Sequence, residues 1–417
     1  MPSLRKSETL ELLQGSQLLF PALIQAFDAA TSWIQLETYI FDFHGSGSEV
    51  ADALVRAAQR GVKVQVLVDA VGSGPLPAPW KKTFADAGVE WLAYSPTASS
   101  LGLLVPERWR RLHRKLCVVD QNIVFCGGIN ILDDFYDPNY GELTAPRFDF
   151  AVAVTGPLAL EATDAMAQLW WRVKAGYSAR QKHLNAAWEK FKAAGYAERT
   201  DGTQLAPPSD SGVAPLSSVS GVPGVLRVKA ALVLRDNLLN RRSIERAYRK
   251  AIGRARKEII IANAYFLPGG KLRRALIRAA RRGVRVTLLL QGKYEYFMQY
   301  HAARPVYGAL LAAGVEIHEY STSFLHAKVA VVDGHWATVG SSNLDPLSLL
   351  LAREANIVVE DRAFTQALSR CLRDAVANHG QRIDPAAYSR RPLGRRLQGW
   401  LAYALMRLAL LLTGQRY

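Results

Sequence analysis

An internal repeat constrains this chain more than any other feature of its sequence. The segment AAQRGVKVQVLV, which begins at Ala57, returns as AARRGVRVTLLL, which begins at Ala279. A polar motif, His-x-Lys-x-x-x-x-Asp, returns as well, and its two histidines stand 213 residues apart, at positions 113 and 326. A repeat of this kind indicates two similar structural units in one chain.

Each unit predicts the same succession of elements. Apolar runs predict a strand over 31–43. Helical periodicity closed by Gly61, followed by a continuous apolar run, predicts a helix and then a strand over 48–69. The second unit repeats this order over 257–291. A short helix that ends in Ala-Gly-Val and a further strand then follow in both units, at 86–94 and 312–320.

Strands that alternate with helices predict right-handed βαβ crossovers. We therefore expect an α/β protein of two similar βαβ-rich domains, with mixed, largely parallel sheets flanked by helices and an active site at the interface. The segment 201–224 is rich in Ser, Pro and Gly and predicts a linker. The expected domains are 1–200 and 225–385, followed by an amphipathic membrane-associating segment at 386–417.

The repeated motif predicts a pocket that receives a His, a Lys and an Asn from each unit. The stretch 112–120 predicts one extended strand. Alternate side chains of a strand share a face, so His113 and Lys115 point to one side, as do His326 and Lys328 in the second unit. A second strand follows each motif and ends in a small-residue loop, GGIN in the first unit and GSSN in the second. The candidate phosphate-binding or supporting residues of these loops are Asn130, Ser341 and Asn343.

These side chains suit the chemistry of a phosphate diester. Lysines and Asn amides supply positive charge and donors to phosphate oxygens, and two histidines can divide nucleophilic attack and protonation of the leaving group. No carboxylate cluster or His/Cys set of metal-ligand spacing accompanies them, so we expect no metal and no cofactor. Each histidine also needs a group that fixes its tautomer, and the candidates are Glu354 and Asp149.

The aspartates of the motif have a different position. Asp120 and Asp333 belong to the candidate catalytic set together with the two histidines and the two lysines. Each aspartate nevertheless lies an odd number of positions from its histidine, so strict alternation puts it on the opposite face at the strand end. We expect both to tie the following turn or the strand's partners rather than to touch substrate.

Charge and cysteine content narrow the class of protein. A formal net charge of +16 over 417 residues favours polyanionic partners, either nucleic acid or the anionic face of a membrane. Cys117, Cys126 and Cys371 show neither zinc-site nor disulfide spacing, which predicts reduced core residues in a cytosolic compartment. Residues 1–20 lack an apolar run of signal-peptide or membrane-spanning length, so we expect neither secretion by that route nor an anchor there.

The C-terminal sequence predicts an amphipathic helix. Apolar residues, Trp400 among them, fall at three- and four-residue steps from Leu393 to Leu412, with arginines beside them. Arg407 interrupts an apolar stretch already shorter than the roughly 20 residues that span a membrane, which favours a helix lying in the interface. The alternative is a last helix docked on the core. The apolar and basic stretch 100–115 is either a lip that meets lipid or a packed loop.

The duplicated motif resembles the signature of the phospholipase D superfamily, and the resemblance covers about 15–361. The stretches IIIANAYFLPGG, HRKLCVVD and HAKVAVVDGHWATVGSSNLDPLSLLLAREAN are similar to bacterial cardiolipin synthases, particularly the shorter type without N-terminal transmembrane helices. This chain departs from the family pattern at Gly128, which replaces the hydroxyl that Ser341 supplies in the second loop. We therefore expect unequal phosphate contacts in the two units.

The resemblance implies a phosphatidyltransferase of phospholipid biosynthesis. One phosphatidylglycerol would lose glycerol to leave a phosphatidyl-histidine, and a second would attack it to give cardiolipin. The family's usual assignment makes His113 the nucleophile and His326 the acid and then the base, although the sequence alone does not order them. The implied partners are phosphatidylglycerol and an anionic membrane, with the protein peripheral on the cytoplasmic face of the bacterial inner membrane.

Three other functions remain open at this stage. A phospholipase D type lipid hydrolase would use the same phosphohistidine, with water in place of the acceptor alcohol. A phosphodiesterase or nuclease would suit the positive charge, although no nucleic acid partner is expected, because such an enzyme does not need the amphipathic C-terminal segment. A non-catalytic binding module would keep the motif as scaffold. The sequence does not indicate the oligomeric state.

Overall fold

The two predicted units fold as two halves with the same order of elements. The computed structural model describes residues 4–94, 110–180, 225–236, 240–293, 297–345 and 352–412. The predicted linker at 201–224 and most of the stretch 100–115 lie outside these residues, so those predictions stay predictions.

The first half carries strands at its centre and helices around them. Its strands are β1 (Arg5–Gln14), β2 (Trp33–Thr38), β3 (Lys63–Asp69), β4 (Glu90–Tyr94), β5 (Arg111–Leu112), β6 (Lys115–Val119), β7 (Ile123–Gly127), β8 (Tyr136–Asp137), β9 (Gly141–Glu142) and β10 (Phe150–Thr155). Its helices are α1 (Ser16–Ala29), α2 (Ser46–Gln59), α3 (Ala78–Ala87) and α4 (Pro157–Arg180). The predicted stop at Gly61 is confirmed, since this residue follows α2 with a φ of 91°, which glycine adopts without strain.

The second half repeats this order. Its strands are β11 (Val225–Arg235), β12 (Glu258–Asn263), β13 (Arg285–Gln291), β14 (Glu316–Tyr320), β15 (Lys328–Val332), β16 (Trp336–Gly340), β17 (Ala352–Glu360) and β18 (Gly380–Arg382). Its helices are α5 (Ser243–Arg254), α6 (Gly270–Arg281), α7 (Phe297–Leu311), α8 (Arg362–His379), α9 (Pro385–Ser389) and α10 (Leu393–Leu412).

The sheet shows the repeat directly. In the first half the strands follow the order β1-β10-β7-β6-β2-β3-β4, and the second half repeats it as β11-β17-β16-β15-β12-β13-β14, with β18 at the far edge. Strands β1 and β11 pair in antiparallel orientation, with Lys6 opposite Lys229. Hydrogen-bonded strands therefore run continuously from one half into the other.

The α/β class and the mixed sheets are confirmed, but the expectation of largely parallel sheets is wrong. Parallel pairing joins β2 to β3 to β4 and β12 to β13 to β14, where helices provide the crossovers. The strands that carry the motif, β6, β7 and β10 with β15, β16 and β17, pair in antiparallel orientation. Short turns after β6 and β15 reverse the chain, which a parallel arrangement does not allow.

The motif-bearing strands of the two halves pack against one another. One apolar cluster combines Val118 and Val124 of the first half with Val329 and Val339 of the second, all fully buried. The Cys126 thiol lies 3.7 Å from the Ala355 carbonyl across this interface. All three cysteines are free, and those at positions 117 and 126 are buried as predicted, whereas Cys371 is only partly buried.

The C-terminal helix docks on the rest of the protein and leaves one apolar face exposed, while its predicted place in a membrane interface stays a prediction. Helix α10 packs on α7 through small residues, since Ala402 is 3% exposed and Gly399 faces Pro305. Its other face is open, and five large apolar side chains there are more than half exposed. They are Leu393, Leu397, Trp400, Leu401 and Leu405. No helix among the described residues is long and apolar enough to cross a membrane.

Candidate active site

Each motif histidine lies at a break in the strand rather than inside it. Strand β5 ends at Leu112 and β6 begins at Lys115, so His113 and Arg114 lie between them, and His326 likewise precedes β15. The expectation of one strand from 112 to 120 is therefore wrong at this point. The cause is a pairing with the other half, because β5 lies parallel to β17 and the His113 N–H donates to the Arg353 carbonyl at 3.0 Å.

The second half mirrors this backbone contact. Leu325 forms a parallel bridge with Phe148, and the His326 N–H donates to the Phe148 carbonyl at 3.0 Å. The residues that precede each histidine are thus attached to the residues that precede a carboxylate of the opposite half.

Each histidine side chain contacts a carboxylate of the opposite half. The His113 Nδ1 atom lies 3.1 Å from Oε1 and 3.2 Å from Oε2 of Glu354, which belongs to the second half. The His326 Nδ1 atom lies 2.7 Å from Oδ2 of Asp149, which belongs to the first half. Each half therefore supplies a histidine to one pair and a carboxylate to the other, so neither half forms a complete His–carboxylate pair by itself.

The two lysines lie in the same pocket, fully removed from solvent. Lys115 Nζ donates to the His113 carbonyl at 2.9 Å, and Lys328 Nζ donates to the His326 carbonyl. Lys328 Nζ also lies 3.9 Å from Asp149 Oδ2. Burial, together with repulsion from Lys328, lowers the pKa of Lys115 to about 7.

The two carboxyl groups differ in protonation. Burial alone would raise the pKa of Glu354, but the His113 ring and Lys115 outweigh it and hold that pKa below its usual range. Burial raises the pKa of Asp149 to about 7, against the attraction of Lys328. At neutral pH Glu354 is therefore ionised, and Asp149 titrates close to neutrality.

Both imidazoles are kept from gaining a second proton. Burial lowers the pKa of His113 in spite of the neighbouring Glu354 carboxylate. Burial and the two lysines lower the pKa of His326 well below its ordinary value. Because an ionised carboxylate only accepts hydrogen bonds, Glu354 selects the His113 tautomer with hydrogen on Nδ1 and leaves the Nε2 lone pair available.

The two asparagines of the small-residue loops occupy equivalent positions beside the histidines' strands. The Ile40 N–H donates to Asn130 Oδ1 at 3.2 Å, and the Tyr265 N–H donates to Asn343 Oδ1 at 3.4 Å. These bonds fix each side-chain amide with Oδ1 on the backbone, so the Nδ2 donor is the end that remains for a ligand.

The asymmetry expected at Gly128 involves the carboxylates. Ser341 Oγ donates to Glu354 Oε2 at 2.5 Å and accepts the Ala355 N–H at 3.0 Å. In the first half, a Cβ atom on Gly128 would lie 2.7 Å from Asp149 Oδ2, closer than atoms approach. Position 128 therefore requires glycine, because Asp149, the first-half equivalent of Glu354, lies against it.

The motif aspartates lie at the far end of their strands. Asp120 and Asp333 each accept three backbone N–H groups at the start of the neighbouring strand, with distances of 2.8 to 2.9 Å. The donors are Thr31, Ser32 and Trp33 for the first and Arg256, Lys257 and Glu258 for the second. These contacts agree with the expectation that the aspartates hold the strand end to its partner strand, whereas their place in the candidate catalytic set stays a prediction.

Two residues of this site were not anticipated. The Tyr39 ring lies 5.0 Å from the His113 ring, and Lys115 Nζ lies 5.4 Å from the Tyr39 ring centroid. Arg235 stands opposite Glu354 in the β11–β17 register and is 1% exposed, and its guanidinium has no hydrogen-bond partner in the part of the chain that the structure describes. Comparison of the two repeats did not point to Tyr39 or Arg235, because the equivalent positions in the other half hold alanine and glycine respectively.

The described residues contain no group of three or more His, Cys, Asp or Glu side chains placed to hold a metal ion. The histidines, lysines and amides form a pocket of positive charge and hydrogen-bond donors, which suits chemistry on a phosphate diester.

Comparison with known proteins identifies the class. The family model described as "Cardiolipin synthase, PLD-like domain" matches residues 23–142 and 248–374, once in each half. The chain therefore belongs to the phospholipase D-like cardiolipin synthase family, and it is an enzyme of the phosphatidyltransferase type. The recognition of this family from the sequence is confirmed.

Individual relatives narrow the similarity further. Cardiolipin synthase B of Salmonella typhimurium is 35% identical over 97% of this chain and 89% of its own length. Cardiolipin synthase A of Escherichia coli O1:K1 is 27% identical over 95% of this chain and 75% of its length. Among solved structures, phosphatidylserine synthase of Haemophilus influenzae matches with a TM-score of 0.66 and 13% identity, covering 99% of this chain and 96% of that one, which shows the shared fold.

Proposed function

We propose that this protein is a cardiolipin synthase that transfers a phosphatidyl group between two phosphatidylglycerol molecules through a phosphohistidine intermediate. The observation that carries the proposal is the pair of exchanged contacts, His113 with Glu354 and His326 with Asp149, which differ in protonation. The similarity to cardiolipin synthase B supports the choice of lipid substrate.

In the first step, His113 Nε2 attacks phosphorus and the bond from phosphorus to the glycerol oxygen breaks. Glu354 accepts the Nδ1–H and stabilises the charge that forms on the ring. The departing oxygen takes a proton from His326, which is replenished from Asp149 through the 2.7 Å contact. Lys115 and Lys328, with the two loop amides, supply donors to the phosphate oxygens.

The second step reverses the first with another alcohol. The pair of His326 and Asp149 now lacks the proton that it gave away, so it accepts one from the hydroxyl of the acceptor lipid. That oxygen attacks phosphorus and the bond to His113 Nε2 breaks, which releases cardiolipin and restores the free enzyme. A carboxyl pKa of about 7 suits a group that must give and take a proton at neutral pH.

A trapped intermediate tests this order. The protein is denatured with detergent at mildly alkaline pH, which preserves a phosphorus–nitrogen bond, during turnover of phosphatidylglycerol with a radiolabelled phosphate, and the labelled peptide is mapped. We expect label on His113 in the parent, slower labelling of the same residue in His326→Ala, because that variant lacks the acid of the first step and the base of the second, and none in His113→Ala. Label on His326 instead would overturn the assignment of the two roles, and release of phosphatidic acid without cardiolipin would indicate a lipid hydrolase.

Membrane association completes the proposal. The open apolar face of α10, with Leu397 and Leu401 more than half exposed, supports insertion of this helix into the interface while its small-residue face stays on α7. The protein would then act as a peripheral enzyme on the cytoplasmic face of the bacterial inner membrane, where its substrate is a component of the bilayer.

A further inference from the structure

A groove of about 750 Å³ between helices α5 and α6 is lined by cations. Arg246, Arg249 and Lys250 of α5 face Lys271, Arg274 and Arg278 of α6, and we call these six residues and the space between them the basic groove. No acidic side chain lines it. Glu245, which lies 4.0 Å from Arg249, is the neighbouring carboxylate, so most of this charge is uncompensated within the described residues.

The repeat supplies an internal comparison for the basic groove. Helices α1 and α2 of the first half form the same packed pair, and the structural arginine of this pair is kept. Arg60 donates to the Phe27 carbonyl, and Arg282 donates to the equivalent carbonyl of Ile252. That arginine therefore belongs to the fold.

Among the six groove residues only Arg278 has a basic counterpart in the first half, Arg56. Where the second half has Lys271 and Arg274, the first half has Glu49 and Asp52. Where α5 has Gly253, α1 has Asp28, which pairs with Arg56 at 2.9 Å. The same helix pair thus forms with acidic side chains in one half, so the concentration of cations in the other requires a different reason.

The position of the groove indicates what it meets. Helices α5, α6, α7 and α10 lie side by side on the outer face of the second half's sheet, because α5 packs on α6, α6 on α7 and α7 on α10. The basic groove and the exposed leucine face of α10 therefore belong to one layer of helices. Cations in the same layer as exposed Leu397, Trp400 and Leu401 match a surface with anionic headgroups above an apolar interior.

We infer that the outer helix layer of the second half is the membrane-docking face, in which the basic groove holds the phosphates of anionic lipids while α10 inserts. This inference rests on the proposed function, because it names the surface through which that enzyme would reach its lipid. Nucleic acid would satisfy the groove but would leave the adjacent leucines and tryptophan uncovered.

The inference is tested by replacing groove cations with the acidic residues that occupy the equivalent positions in the first half. The variant Lys271→Glu/Arg274→Asp copies the first half at these positions, so the helix pair is expected to fold. Lys81→Glu/Lys82→Glu, on the exposed surface of α3, makes the same change in charge elsewhere. Binding is measured by flotation of full-length protein with vesicles of phosphatidylcholine alone or with an equal part of phosphatidylglycerol, at several salt concentrations.

We expect the groove variant to bind phosphatidylglycerol vesicles at least roughly 30-fold more weakly than the parent, since each cation near an anionic surface contributes about 1 kcal/mol. Its binding should also depend less on salt, and its partition to phosphatidylcholine vesicles should match that of the parent. The α3 variant should lose less than about threefold. Leu397→Ser/Leu401→Ser should weaken binding to both kinds of vesicle.

Equal losses in the groove and α3 variants would overturn the inference, since net charge alone would then explain binding. It would also fail if the groove variant kept its affinity for vesicles and instead lost a gel shift with DNA. Failure of the proposed function has a separate signature: the parent would bind vesicles through this face yet form no cardiolipin from them.

Discussion

The histidines of the two halves differ in the group that holds them. His113 contacts a carboxylate that is ionised at neutral pH and is itself held by Ser341, whereas His326 contacts a carboxyl whose pKa is raised to about 7. The duplicated motif is thus chemically unequal, although its sequence looks the same. A fixed carboxylate suits a nucleophile, and a carboxyl that titrates near neutrality suits an acid and base.

Replacement of Asp149 by Asn should raise the stability of the protein at alkaline pH and lower its activity. The folded carboxyl keeps its proton up to about pH 7, whereas in the unfolded chain it is lost near 3.8, so unfolding releases a proton and stability falls as pH rises between these values. The variant lacks this penalty, which is at most about 4 kcal/mol, and should melt higher than the parent at pH 8 but not at pH 4. Glycerol release should fall at least about 100-fold.

Glu354→Gln is the matched control with the opposite sign. The folded pKa of Glu354 lies below its usual range, so its ionised form contributes stability above the unfolded pKa, and this contribution is lost as pH falls. This variant should therefore melt lower than the parent at pH 8. Thermal unfolding of both variants at the two pH values checks the pair, and parallel shifts would contradict the protonation states assigned here.

Gly128→Ala tests the steric requirement next to Asp149. The added methyl would lie 2.7 Å from Oδ2, so the carboxyl must move away from His326. We expect a loss of kcat/KM of at least about 100-fold with a well-folded protein. Ser341→Ala, which removes one hydrogen bond to Glu354 but adds no atoms, should cost less, and a Gly128→Ala enzyme within threefold of the parent would contradict the geometry.

At the scale of elements, the motif aspartates hold strand to strand. Asp333 caps the start of β12 through three N–H groups and itself adopts a φ of 51°, a conformation that Asn tolerates better than Ala does. Asp333→Ala should lower the free energy of unfolding by roughly 2–4 kcal/mol and Asp333→Asn by less. Chemical denaturation measures the free energy of unfolding. The kcat of both variants, measured well below the melting temperature, should stay within threefold of the parent. A loss of kcat without a loss of stability would place Asp333 in the catalytic set.

The elements also show what sequence can predict. The order of helices and strands, the stop at Gly61 and the role of Asp120 follow from local pattern, which is why they were predicted correctly. The break before Lys115 was not, because β5 is held by β17, and that pairing joins residues far apart in sequence. Candidate carboxylates were found by position, but which histidine each one meets depends on how the halves dock, and a repeat carries no information about docking.

At the scale of the whole molecule, both histidines and both carboxylates belong to one chain. Two inactive variants, His113→Ala and His326→Ala, should therefore stay inactive when mixed or co-expressed, because neither chain contains a complete site. Cardiolipin formation by the mixture, relative to a mixture of parent and variant at the same total concentration, measures this. Activity near one quarter of the parent level would indicate that halves are exchanged between chains.

The exchanged carboxylates have a consequence during synthesis on the ribosome. A nascent chain that has emerged only as far as β10 already carries His113, Lys115 and the first asparagine loop, yet it lacks Glu354 and the second lysine. It can form neither His–carboxylate pair. A chain terminated before β17 therefore lacks part of the site on which the proposed reaction depends, whatever the length of its first half.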